Sequence, residues 1–196
     1  PYLLGVAAGA GLGATLAIVS GAQYGWGPFH AVPVAAFLGA LLAVGVAAVL
    51  GFGASRSAAS LLLAGVAVAS FFTACQTYLM QRNSETLNQV YAWILGRLGT
   101  FGWSEVGLVA PYVVVCGLVA LSLARHIDVM QLGDDEATAL GINVTVVRSV
   151  LVVAASLLAA AAVAVSGLIA FVGIIVPHMV RLVVGASYRV VVPLSA

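Results

Sequence analysis

Long apolar runs separated by short polar intervals set the frame of this chain. Runs over residues 2–21, 30–50, 60–81, 106–123 and 149–165 are each close to the roughly 20 residues a helix needs to cross a hydrocarbon core about 30 Å thick. Backbone N–H and C=O groups find no water in such a layer, so the expected form is a helix that satisfies them internally. The pattern predicts five crossing helices.

The intervals between these runs differ in kind. Residues 22–28 (AQYGWGP) carry turn formers with Tyr24 and Trp26, aromatic residues suited to a membrane interface. Residues 51–59 form a short loop around Arg56. Residues 82–104 are too polar to span, yet Leu87, Val90, Tyr91, Ile94, Leu95 and Leu98 recur at helical spacing after Ser84, a candidate N-cap. That pattern predicts an amphipathic helix outside the hydrocarbon.

The most acidic interval is 125–147. Within it, 133–141 reads as a short soluble helix with Asp134, Asp135 and Glu136 at the positive end of its dipole and Gly141 as the stop. Met130, Leu132, Leu140 and Ile142 would give it an apolar edge. Spacing alone allows either a capped connector or a docking helix. After Ser166 the apolar run is broken by Gly167, Gly173 and Pro177, which predicts a turn followed by a short, interrupted helix.

Arginines orient the crossings. Arg56, Arg125, Arg148, Arg181 and Arg189 fall on one face and Arg82 and Arg97 on the other, so the first face is expected to be cytoplasmic. The segment 82–104 is then external and 125–147 cytoplasmic. Composition agrees with lipid as solvent: 63% of the 196 residues are hydrophobic and 7% charged, against about 25% charged in soluble domains. A net charge of +1 with scattered charges excludes a nucleic-acid surface.

Candidate chemistry is sparse. The chain contains no lysine, so it can form neither a Walker-type phosphate loop nor a Schiff base. Glu85, Glu105, Asp128, Asp134, Asp135 and Glu136 all map to loops or span ends, whereas ion-coupled carriers keep a carboxylate within the membrane. The driving force is therefore expected from a partner, with the acidic interval as the contact. Cys75 and Cys116 lie in apolar runs without metal-ligand spacing and read as small hydrophobes. No metal site is predicted.

Other residues admit two readings. Ser166 and His178 could form a nucleophile and base, but the string A-V-S-G lacks the G-x-S-G pattern, and His178 reads instead as a core histidine bonded to a carbonyl freed by Pro177. Ser70, Thr73 and Thr77 share one helical face and suit either a wet path or helix packing. Gly9, Gly11 and Gly13 sit inside an apolar span, where close helix packing outweighs a nucleotide loop. The apolar run is already under way at Pro1, without initiator Met or charged leader, and the final VVVPLSA is too short to span, so the chain is expected to be cut at both ends.

Five strings together resemble the FecCD-type permeases of binding-protein-dependent ABC importers: PYLLGVAAGAGLGA at the start, LLLAGVAVAS at 61–70, WILGRLG at 93–99 with Trp103 downstream, LGDDEATALGINV at 132–144, and GLIAFVGIIVPHMVRLVVG at 167–185. The last two are the specific ones, and the last places Gly167, Phe171, Gly173, Pro177, His178 and Arg181 in a structural motif. It departs from the family where a frequent Gly-Pro-Ile-Gly is here Gly167, Leu168, Ile169 and Ala170, and where Asp-His-Arg is Ser187, Tyr188 and Arg189.

The resemblance implies an all-α polytopic membrane protein, a fragment of a ten-helix permease forming one domain over 1–196, holding the third to eighth helices and the start of the ninth. It implies a homodimer around a central path, two ATPase subunits carrying ATP and Mg at the cytoplasmic face, and an external substrate-binding protein. The chain itself would bind no cofactor and catalyse nothing. Contact with the ATPase carries over to Asp134, Asp135, Glu136, Ala137, Leu140 and Gly141, and the translocation path to Ser57, Ser70, Thr73 and Thr77 with the segment after Ser84. The cargo would be an iron(III)-siderophore, haem or cobalamin-type chelate crossing the inner membrane. The alternatives are an ion-coupled secondary transporter and an intramembrane protease.

Overall fold

The computed structural model describes residues 4–21, 25–26, 29–54, 58–96, 102–168, 172–185, 190–191 and 194. Helices dominate them: α1 (Val6–Val19), α2 (Ala31–Ala54), α3 (Ala58–Arg82), α4 (Leu87–Ile94), α5 (Trp103–Ser122), α6 (Ala124–Met130), α7 (Asp134–Ala139), α8 (Val144–Ser166) and α9 (Val172–Val184). Between α1 and α2, two strands of two residues each, β1 (Gly25–Trp26) and β2 (Phe29–His30), pair antiparallel where the sequence predicts a turn.

Four described stretches are long and apolar enough to cross a membrane: Ala31–Gly51, Ala59–Arg82, Trp103–Ser122 and Val144–Ser166. The first crossing expected over 2–21 is shorter. Gly5 and Gly21 both take left-handed backbone and leave a helix of 14 residues between them, about 21 Å at the usual rise of 1.5 Å per residue.

The chain divides into two compact units, Pro1–Ala110 with Ser156–Ile169, and Pro111–Ala155 with Ala170–Ala196. In the first, α1 packs against α2, α3 and α4, and α2 against α3. The α1–α2 contact is backbone to backbone. A methyl group at Gly9 would strike the Gly39 carbonyl oxygen, and one at Gly13 the Ala35 carbonyl oxygen. Ala36, Ala40, Ala43 and Ala47 of α2 are fully buried. Lipid tails supply no hydrophobic drive for helix pairing, so such close approach is how two apolar helices gain contact energy. The glycine stripe is a packing surface, as the apolar context of Gly9 and Gly13 predicts.

Gly11 faces the other neighbour. A β-carbon there would meet the side-chain amide of Gln76 on α3, 2.8 Å from its Oε1. The buried Gln76 Nε2 donates to Thr15 Oγ1 at 3.2 Å, and the Thr15 hydroxyl donates to the Gly11 carbonyl at 2.7 Å. A cluster of Ala43, Ala47, Val68 and Phe72, flanked by Ala8 and Leu12, completes this core.

The second unit contains α6, α7 and α9 and the segments of α5 and α8 within its bounds. Residues 125–130, expected as loop, continue as α6, and the break comes at Gly133, whose φ of 133° only glycine adopts readily. Helix α9 runs continuously through Pro177. The expected interruption is only a missing donor, because proline offers no N–H to the Gly173 carbonyl.

Candidate functional site

Helix α7 is built by its ends. Asp134, Asp135 and Glu136 occupy its first turn, where carboxylates complement the exposed N–H groups. At the other end Gly141 takes φ 84°. Its N–H donates to the Thr138 carbonyl at 2.9 Å, and the Ile142 N–H donates to the Ala137 carbonyl at 3.0 Å. These two bonds form a Schellman stop. Gly141 therefore ends the helix as the sequence predicts.

Within α7, Ala137 is fully buried while Leu140 and the preceding Leu132 stand about two-thirds exposed, at 66% and 67%. These two leucines of the expected apolar edge are uncovered, whereas Met130 and Ile142 are half-buried. Asp135 and Glu136 are exposed and make no ion pair with any described residue. Asp134 behaves differently. Arg148 Nη2 donates to both of its carboxylate oxygens, at 2.8 and 2.9 Å.

Beside this helix lies an open concavity of about 440 Å³ lined by Thr138, Gly141, Ile142, Asn143, Val144 and Thr145. Asn143 caps the start of α8, its Oδ1 accepting from the Val146 N–H at 3.2 Å. That cap starts α8 at Val144 rather than at 149.

The hydroxyl stripe of α3 faces outward in the first unit: Ser70, Thr73 and Thr77 are exposed, whereas Val68, Phe72, Gln76 and Met80 on the opposite face are buried. Ser70 donates to the Val66 carbonyl at 2.9 Å and Thr77 to the Thr73 carbonyl at 2.9 Å. Both hydroxyls are therefore satisfied by their own helix and need no neighbouring helix. Ser57, Phe171 and the arginines at 56, 97 and 189 lie outside the described residues.

Helix α4 is the expected amphipathic segment with different boundaries. Ser84 opens a 3-10 turn, Ser84–Thr86, and α4 begins at Leu87 without a side-chain cap. Val90 is buried, but Tyr91 and Leu95 of the expected apolar face are exposed. Just after α4, Gly96 takes φ 82°, and at the end of α8 Gly167 takes φ 78°. A β-carbon at Gly167 would lie 2.8 Å from the Gly96 α-carbon, and one at Gly96 would lie 2.7 Å from the Ser166 carbonyl oxygen. Two left-handed glycines thus let these helix ends touch through bare backbone. In the sequence Gly96 is visible only as the glycine inside WILGRLG.

The rival chemistries lose ground. Ser166 Oγ donates to the Ala162 carbonyl at 2.9 Å and lies 3.2 Å from the Gly167 carbonyl oxygen, and His178 is exposed, so the expected core histidine is not one. Glu105, in the candidate span Trp103–Ser122, lies in its first turn. It accepts from the Gly102 N–H at 2.9 Å and from the Ser104 hydroxyl at 2.7 Å, which makes it a helix cap and not a midplane carboxylate.

Several apolar helices of membrane-crossing length define a multi-pass membrane protein. The model of the FecCD transport family matches residues 1–196, and the chain belongs to that family.

Its relatives include the cobalamin import system permease protein BtuC of Halobacterium salinarum, 39% identical over 100% of this chain and 52% of that protein. The hemin transport system permease protein HmuU of Yersinia pestis is 34% identical over 100% of this chain and 59% of its own length. The ferric enterobactin transport system permease protein FepD of Escherichia coli is 35% identical over 100% and 58%. A solved inward-facing structure assigned to the metal-chelate type of ABC transporter superposes with a TM-score of 0.87 at 27% identity, covering 100% of this chain and 61% of that one. The chain spans between half and three-fifths of the length of these relatives.

Proposed function

We propose that this chain is part of the permease subunit of a binding-protein-dependent ABC importer. It carries an iron(III)-siderophore, haem or cobalamin-type chelate across the inner membrane, with an iron-siderophore as first choice. The observation that carries this reading is the family match over all 196 residues, together with relatives named for hemin, cobalamin and ferric enterobactin transport. ATP and Mg reside on a separate ATPase, a reading supported by the family membership and by the lack of a lysine-bearing phosphate loop in these 196 residues. The assembly is a permease homodimer with two ATPases at the cytoplasmic face and a binding protein outside.

In this reading α7 is the coupling helix. Asp135, Glu136, Leu140 and Gly141 meet the ATPase, and Ala137 anchors the helix from beneath. The exposed hydroxyls Ser70 and Thr77, with Thr73 and Ser57, border the path. The test is charge reversal in the intact protein. Asp135→Lys with Glu136→Lys is expected to abolish cargo-stimulated ATP hydrolysis by the assembled complex, and full stimulation in that variant would remove the coupling role of α7.

A further inference from the structure

Helix α7 has six residues, too few to hold its shape or its position in water without outside contacts. Its C-terminal turn fixes where it stops, and the buried Ala137 seats its underside. The contact that reaches across that turn is the bidentate pair from Arg148 Nη2 to the two oxygens of Asp134, at 2.8 and 2.9 Å. Arg148 lies near the start of α8, and its side chain is 20% exposed against 55% for Asp134. The arginine is the seated partner and the aspartate is held by it. Asp135 and Glu136, one and two residues on, make no ion pair with any described residue.

We propose that Arg148 is a positioning residue: it clamps the first residue of α7 to the start of α8, so that displacement of α7 is delivered to a membrane-crossing helix. The three acids of α7 therefore divide by role. Asp134 is paired to Arg148 as the tie, and Asp135 and Glu136 are left for the ATPase. This rests on the reading of α7 as the coupling helix. An exposed pair contributes little to folding, so its loss acts on the transmission of movement rather than on the presence of the helix.

The experiment uses the full-length permease assembled with its ATPase and binding protein in proteoliposomes, with labelled ferric siderophore, haemin and cyanocobalamin each offered as cargo. Three quantities are read: ATPase subunit retained on the permease, ATP hydrolysed, and cargo moved per ATP. Arg148→Gln and Asp134→Asn are expected to retain the ATPase and to hydrolyse ATP, while cargo per ATP falls at least about fivefold, the low end of ordinary coupling energies. The exchange Asp134→Arg with Arg148→Asp is expected to recover most of that loss. Unchanged cargo per ATP in the single variants overturns the clamp, as does an exchange no better than either single variant. Loss of ATPase retention in the single variants also overturns it, because Asp134 would then be a direct contact. Failure of the underlying reading is separate: the wild-type complex would move no cargo on ATP.

Discussion

At Gly13 the atoms nearest to an added methyl group belong to the backbone of Ala35 and Ala36, and backbone cannot step aside as a flexible side chain can. Gly13→Val or Gly9→Leu is therefore expected to destabilise the intact protein by about 3 kcal/mol, the upper range for overpacking a close-packed interior. Thermal unfolding in detergent measures this. Gly45→Ala, with nothing within 4 Å of the new carbon, is the control and is expected to leave the midpoint unchanged or slightly raised. The presence of a glycine stripe was legible from Gly9, Gly11 and Gly13, because an apolar context leaves few other uses for it. The division of labour was not. Two of these glycines meet α2 and one meets Gln76, and that assignment depends on the rotation of α1, which no local string encodes. Gln76 and Thr15 were missed for the same reason: a lone glutamine near a span end gives no sign of burial until its helix is placed.

Helix extents follow the strength of their end signals. The span expected over 60–81 lies within two residues of α3 at each end, since apolar residues run to a polar stop at Arg82. The start of α8 is not legible because Asn143, Val144 and Thr145 look like loop in the sequence, while the Asn143 side chain in fact begins the helix. Ser84 failed as a cap because the chain there tightens into a 3-10 turn. Pro111 sits inside α5, where a lost backbone bond is tolerated in membrane helices through local adjustment. The contact between Gly96 and Gly167 belongs to the same scale. Gly167→Ala combines a positive φ with a collision against the Trp93 carbonyl and the Gly96 backbone. It is expected to cost about 2 kcal/mol, within the range for a strained backbone position, and to show as faster amide exchange in α4 than in α3. Equal exchange in both helices would show that the contact does not hold α4.

For the molecule as a whole, the decisive features are what the crossing helices lack. Glu105, the carboxylate within a candidate span, is occupied as a cap. The sequence has no lysine with which to grip a phosphate. Together with membership of the FecCD transport family, these features support the proposal that the energy source lies on another polypeptide and enters through α7. The membrane class was legible from apolar run length alone, and the family from the strings around α7 and α9. Cargo identity is not written in these residues, because the exposed Ser70 and Thr77 hydroxyls of α3 bond to their own backbone. The most direct measurement is accumulation of labelled ferric siderophore, haemin or cyanocobalamin in vesicles containing the intact permease, with and without its ATPase, binding protein and ATP. Uptake that requires all three and ignores collapse of the ion gradients is the predicted result, and uphill accumulation by the permease alone would contradict the account.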